Sequence, residues 1–287
     1  MVVDEHLARR LVDAQFPRWA GLPLRPVTVQ GWDNRTFRLG DGLTVRMPSS
    51  GAYAEQVAKE QRWLPVLAPR LPLPVPVPVA RGAAEPGYPY PWSVLRWIPG
   101  APASDGVGDL TGFATDLAAF LVALREVDAG GGPAPGTHNF HRGGALTVYA
   151  DETLRAVDAL GAAVPRAAVL AVWDAALATT WRGDPVWVHG DVAAGNLLVR
   201  DGRLAAVIDF GSSGVGDPAC DVVIAFTLLS GPSRAAFREA LGLDATTWAR
   251  GRGWALWKAL ITLVGRPGDP AAGRVVDEVL ADHAREP

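Results

Sequence analysis

His189, Asp191, Asn196 and Asp209 lie on the turns that join three short apolar runs, residues 186–188, 197–199 and 204–208. A carboxylate and a carboxamide five residues apart in one loop, with a second carboxylate at a later strand end, suit phosphoryl transfer. One acid can take the proton of an attacking hydroxyl while the amide and the other acid hold magnesium against the phosphates. Asp201-Gly202 is a type I′ turn signal between two of the apolar runs, so a hairpin is expected to bring Asn196 and Asp209 together. Asp209 then stands at the mouth of the cleft that holds Asp191. The expected roles are Asp191 as proton acceptor and Asn196 with Asp209 as Mg2+ ligands.

These turns need a scaffold. Asp4 to Gln15 reads as a short amphipathic helix with Leu7, Leu11 and Val12 on one side. Residues 27–29, 36–39 and 43–47 read as strands, with Gly40-Asp41-Gly42 turning the last two. Ser50 is a candidate cap for a helix over 51–63, which Pro65 is expected to bend or end. Pro72, Pro74, Pro76 and Pro78 alternate with Leu and Val, which predicts an extended edge segment rather than a central strand. Trp92 to Ile98 reads as a buried strand ending in Pro99-Gly100. Helices are expected over 107–127 and 145–182, separated by the flexible Gly130–Gly136 loop, and again from Asp217-Pro218 to the end. Strands first and helices later, with the reactive turns between them, indicate an α+β bilobal fold.

His189-Gly190-Asp191, then Asn196, then Ile208-Asp209-Phe210-Gly211 resemble the aminoglycoside phosphotransferase family, small-molecule relatives of the eukaryotic-type protein kinases. Protein kinases normally place Arg where Gly190 stands, so the antibiotic, choline and homoserine kinase branch is the better match. Gly31-Trp32-Asp33-Asn34, Val45-Arg46-Met47-Pro48, Glu60, Ile98-Pro99-Gly100 and Gly216-Asp217-Pro218-Ala219-Cys220-Asp221 follow the family in order, over about residues 25 to 285. The resemblance implies a protein-kinase-like fold. A small N-terminal antiparallel-sheet lobe, residues 1–97, meets a larger, mostly helical C-terminal lobe, residues 98–287, at a hinge about 95–100.

It also implies ATP or GTP as co-substrate, with Mg2+. Arg46 stands where kinases use lysine, and is expected to fork between Glu60 and a phosphate. Glu60 shares a helix side with Val57 and Leu64, where a carboxylate needs a cationic partner. Asp33 and Asn34 belong to the loop over the phosphates; Leu95 lines the base pocket, and Arg96 and Ile98 offer a carbonyl and an amide to the purine edge. His189 is read as a brace rather than a catalyst, and Asp221 as a buried acid holding the catalytic-loop backbone. His138 and His141 read as solvated loop residues, and Trp248, Trp254 and Trp257 as core. No Gly-Lys pair exists, which excludes a P-loop.

The expected function is transfer of the nucleotide γ-phosphoryl group to a hydroxyl of a small molecule, with an aminoglycoside-type antibiotic as first choice. A kinase for a macrolide or other antibiotic, choline, homoserine or a sugar, and a catalytically inactive kinase-like binding protein, are the alternatives. The six residues from Gly211 to Gly216 leave no room for a protein-kinase activation segment. After Phe210 nine acids face eight bases, too even a balance to demand a polycation.

Composition bounds the rest. The 287 residues suffice for two lobes, and a net charge of −3 with no basic run argues against nucleic acid. The single Cys220 excludes an internal disulfide and suits a reducing compartment. The N-terminus mixes acids with bases before any apolar stretch, unlike a signal peptide, and no 18-residue window reads as a membrane span. The expectation is a cytoplasmic monomer or homodimer whose partners are a nucleotide and a hydroxyl acceptor, with no membrane.

Overall fold

The computed structural model describes residues 2–286. Helix α1 (Glu5–Gln15) starts where the Asp4 carboxylate accepts the Leu7 N–H at 2.8 Å, and it buries Ala8, Leu11 and Val12. Next comes an antiparallel sheet of β1 (Leu24–Pro26), β2 (Asn34–Leu39), β3 (Leu43–Pro48), β4 (Pro78–Gly82) and β5 (Trp92–Arg96), in the spatial order β1-β2-β3-β5-β4. Helix α2 (Gly51–Leu67) crosses between β3 and β4. The proline-rich segment feeds the edge strand β4, where Pro78 costs no ladder bond that a central position would need. Trp92 is fully buried, and β4 leaves room for it only because Gly82 lacks a Cβ, which would sit 1.9 Å from the indole.

The second part opens with β6 (Ala101–Pro102) and α3 (Leu110–Glu126), capped by Asp109. After α4 (Ala150–Leu160) and α5 (Arg166–Leu177) come β7 (Val186–Val188), β8 (Leu197–Arg200), β9 (Arg203–Val207) and β10 (Gly214–Gly216). Two small sheets result, β6-β8-β9 and β7-β10. Asp201 and Gly202 both have positive φ, 53° and 79°, as the hairpin between β8 and β9 requires. Helices α6 (Ile224–Thr227), α7 (Gly231–Leu241), α8 (Ala245–Gly265) and α9 (Pro270–Arg285) complete the chain. The central helix is α8, which buries Trp248, Trp254, Leu256, Trp257 and Leu260. All three tryptophans are buried in the larger core, as the sequence reading has them.

Several boundaries differ from the sequence reading. The first strand is 24–26 rather than 27–29: Val27 N–H still donates to Thr36 O at 3.1 Å, but the chain then leaves the sheet. There the Gln30 amide takes over as a surrogate strand, bonding Val27 O, Thr36 O and Thr36 N. Helix α2 passes through Pro65 to Leu67 because Leu64 and Leu67 join the larger core and hold its last turn in place. Ser50 occupies the N-cap position without a side-chain bond. Strand β5 stops at Arg96, and the long helix expected over 145–182 is two, interrupted at Gly161, φ 52°, and by Pro165. Among the described residues no helix is long and apolar enough to cross a membrane.

Candidate active site

The loop after β7 is held by backbone bonds before any side chain acts. Asp221, buried beneath it, accepts the N–H groups of His189 at 2.9 Å and Gly190 at 2.8 Å. Burial pushes this carboxyl above the usual carboxylate range, against His189 and those backbone N–H groups, which oppose the rise. Gly190 has φ +81°, and a Cβ there would lie 2.3 Å from Ser212 O. An arginine in that place, as protein kinases carry, cannot fit this backbone. His189 is fully buried and spans two strands: its Nε2 pairs with Ile208 O at 3.0 Å while Nδ1 accepts the Asp191 N–H at 3.2 Å. Both ring nitrogens are thereby spent, a brace as the sequence reading has it.

The Asp191 carboxylate is shared by two donors. Lys258 Nζ from α8 meets Oδ1 at 3.1 Å, and Asn196 Nδ2 meets Oδ2 at 3.2 Å and the Asp191 carbonyl at 3.0 Å. Burial pushes the Asp191 carboxyl up, but the charges of Lys258, His189 and Arg142 outweigh it and hold the group below its ordinary value. Asn196 is joined in turn to the strand carrying Asp209, since Ile208 N–H donates to Asn196 O at 2.9 Å. The hairpin thus links Asp191, Asn196 and the residue before Asp209 in one hydrogen-bonded chain.

On the other side, Arg46 of β3 is buried among carboxylates. Its guanidinium donates to Glu60 Oε1 at 2.9 Å and Asp209 Oδ1 at 2.8 Å, with Asp33 Oδ2 at 3.8 Å. Burial by itself would lower the Arg46 pKa; Glu60, Asp209 and Asp33 reverse this and raise it. Burial raises the Glu60 carboxyl, with Arg46 opposing, and raises Asp33 as well, where Asp209 adds to the effect. Arg46 pairs with Glu60 as expected, but the arm expected to meet a phosphate rests on Asp209. Arg46 therefore links β3, α2 and the Asp209 turn directly.

A cleft of about 650 Å³ opens between the five-stranded sheet and the β8–β9 hairpin. Its lining contains Asp33, Asn34, Arg46, Leu95, Arg96, Ile98, Asn196 and Asp209, which brings together nearly all of the sequence-predicted nucleotide and metal residues. Glu60 lies behind Arg46, and Asp191 lies beyond the cleft lining. Asn34 is buried and donates to Asp33 Oδ2 at 2.9 Å, while Trp32 in the same loop is 83% exposed. Among the described residues no three or more His, Cys, Asp or Glu side chains form a protein-only metal cage. Asn196 and Asp209 both line this cleft, and a carboxamide with a carboxylate is an oxygen donor set that fits Mg2+, a hard ion bound by few protein ligands.

Sequence reasoning missed two residues, Lys59 and Lys258. Lys59 Nζ on α2 donates to Gly211 O at 2.6 Å and Ser213 O at 2.9 Å, and meets His138 Nδ1 at 3.3 Å, so His138 is engaged rather than solvated. Burial pushes this amine down to about 8 despite Glu60 and Asp209. The clamp fixes the turn just after Asp209 to the helix that carries Glu60. One signal was in plain view: these are the only two lysines among 27 basic residues. Both lie where a compact ammonium meets carbonyl or carboxylate oxygens, a task that the wider guanidinium fork does differently.

The family described as "Phosphotransferase enzyme family" (APH) matches residues 24–254. Similar solved structures include the GDP and kanamycin complex of APH(2")-IIia, at 18% identity and TM-score 0.76, covering 99% of this chain and 100% of that one. The GDP complex of wild-type aminoglycoside 2'-phosphotransferase-IIIa follows at 18% and 0.73, covering 98% and 100%. The apoenzyme of macrolide 2'-phosphotransferase MphH from Brachybacterium faecium matches at 23% and 0.59, covering 93% and 98%. No curated protein sequence matches the chain. At these identities the structural likeness establishes the fold, and it is the kinase-like, bilobal α+β fold expected from the sequence.

Proposed function

The chain belongs to the phosphotransferase enzyme family, and on that premise we propose that it moves the γ-phosphoryl group of ATP or GTP to a hydroxyl of a small molecule, with Asp191 as the proton acceptor. The observation that carries this reading is the hydrogen-bonded chain from Asp191 through Asn196 to Ile208, next to Asp209, with Asn196 and Asp209 both on the lining of a cleft that also holds Arg46. When bound, Mg2+ held by Asn196 and Asp209 offsets charge on the phosphate oxygens. Arg46 supplies fixed positive charge from the opposite wall, and the arm that holds Asp209 is the one for which a phosphate would compete. Leu95, Arg96 and Ile98 form the base end, and Asp33 and Asn34 the loop over the phosphates.

Asp191 is a weak base, held below the ordinary carboxylate range. A loose, largely dissociative transfer tolerates this, because the acceptor proton leaves late. The carboxylate first orients the hydroxyl, and receives the proton once the new P–O bond is nearly formed. Asn196 and Lys258 keep both carboxylate oxygens in place for that task.

Among acceptors, an aminoglycoside-type antibiotic has the kanamycin and gentamicin complexes of similar folds behind it, and a macrolide has the MphH structure. The cations beside Asp191 weigh against a polycation, so the acceptor carried forward is a hydroxyl compound without a polycationic frame. The test is phosphate transfer from Mg2+–ATP and Mg2+–GTP across aminoglycosides, macrolides, choline, homoserine and sugars, using a γ-phosphate made chiral with oxygen isotopes. Transfer with inversion at phosphorus is the expected result. Retention would mean a phospho-enzyme and overturn the direct mechanism; failure to bind either nucleotide would overturn the function.

A further inference from the structure

Beside Asp191, and outside the lining of the nucleotide cleft, lie two cations, Lys258 and Arg142, with an aromatic wall under Arg142. Lys258 Nζ reaches Asp191 Oδ1 at 3.1 Å, and its side chain is 44% exposed. Arg142 packs against the catalytic loop, where a Cβ on Gly190 would stand 3.0 Å from Arg142 Cβ. Its guanidinium lies over the rings of Trp254 at 4.8 Å and Trp257 at 5.1 Å. Tyr149 extends the wall, stacked on Trp257 with centroids 3.9 Å apart. Among the described residues Arg142 forms no ion pair, and its buried Nε meets no hydrogen-bond acceptor.

The carboxylates nearby are already engaged. Asp191 is held by Lys258 and Asn196, and Glu152 accepts the Trp257 indole N–H at 2.7 Å. Neither Lys258 nor Arg142 lines the nucleotide cleft, whose own buried cation is Arg46. Indole faces favour a guanidinium, yet its N–H edge still needs acceptors, and a two-oxygen anion satisfies that edge best.

We propose that Arg142 and Lys258 form an anion subsite for the acceptor, so that the molecule phosphorylated here carries a carboxylate or phosphate group near its reacting hydroxyl. The inference rests on the phosphotransferase reading above. An anion bridging the two cations sets the hydroxyl beside Asp191, and the aromatic wall excludes water from that contact. The same charges repel a polycationic acceptor.

Probes on one three-carbon skeleton test this: glycerol, glycerate, glycerol 3-phosphate and 3-amino-1,2-propanediol, with kanamycin as a polycation. Calorimetric affinity for the Mg2+–nucleotide enzyme and kcat/KM for transfer are both read. At least one anionic probe is expected to exceed glycerol by about tenfold or more, the step one charge-assisted contact provides. The amine and kanamycin fall below it, and the stronger of the two anions identifies carboxylate or phosphate as the group. In Arg142→Gln and Lys258→Gln the anion-to-glycerol ratio is expected to collapse toward unity, chiefly through affinity and KM. Equal affinities for glycerol and both anions, a preference for kanamycin, or an unchanged ratio in both variants overturns the subsite. Equal losses for every acceptor, charged or not, would assign the two cations to the transferred phosphoryl group instead and also overturn it. Loss of nucleotide binding, or of hydrolysis and transfer altogether in the wild type, would sink the phosphotransferase reading itself, a distinguishable result.

Discussion

The two walls of the site solve opposite charge problems. On the proposed nucleotide wall one buried guanidinium, Arg46, serves Glu60, Asp209 and Asp33, so carboxylates outnumber cations around it. On the proposed acceptor wall two cations, Lys258 and Arg142, act on one carboxylate, Asp191, that stays partly open. The first arrangement raises the pKa values of Glu60 and Asp33 and makes loss of their shared cation a stability matter. The second lowers the pKa of its acid and leaves positive charge to spare, which makes it a matter of rate and selectivity. The surrounding charges decide the difference: desolvation is the largest cause for all three acids, and only at Asp191 do the neighbouring cations together outweigh it.

The largest effect that would sharpen this contrast is kinetic. Asp191→Asn is expected to lower turnover by roughly two to four decades with nucleotide affinity nearly intact, the scale of a lost general base. Asp209→Asn should weaken Mg2+–nucleotide binding and turnover together, because it removes a charged ligand. Steady-state kinetics with a separate nucleotide-binding measurement separates the two, and equal affinity losses in both variants would erase the division between the walls.

Next in size is stability. Arg46→Ala leaves buried carboxylates unpaired, so a loss of about 3–5 kcal/mol is expected from denaturant unfolding. Glu60→Ala should approach it, and the double variant should be little worse than either, the mark of a coupled pair. Arg46→Lys restores the charge without the fork, and is expected to recover only part of both stability and turnover. Strictly additive losses would make the nucleotide wall a set of independent charges.

The smallest effect is a pH slope from Lys59. Its folded pKa is depressed from 10.5 to about 8, so between those values the unfolded chain binds more protons than the folded one. Stability contributed by this group therefore rises with pH across that window. Unfolding midpoints of wild type and Lys59→Met, followed from pH 8 to 10.5, should diverge in favour of the wild type as pH increases. A flat difference would mean that the ammonium is not desolvated beside Gly211 and Ser213.

What could be read from the chain follows locality. Asp191 and Asn196 share one loop, and the Asp201-Gly202 turn specifies the hairpin that returns Asp209 beside them, so their convergence needed only short-range geometry. Arg46 and Glu60 were legible because an acid on the apolar side of a helix demands a partner. The strand at residues 24–26 was not, since the Gln30 side chain acts as backbone there and leaves no periodic trace. Nor was the break within residues 145–182 anticipated, because apolar periodicity continues across Gly161 and Pro165.

By itself the sequence determined the reaction chemistry, through residue types at fixed short spacings, and the kinase-like order of lobes. Only the tertiary structure decided which charges face that chemistry. Lys258 reaches Asp191 across 67 positions of sequence, and Lys59 reaches Gly211 across 152. Such contacts depend on how α8 and α2 pack against the catalytic turns, and packing is a property of the whole core rather than of any local segment.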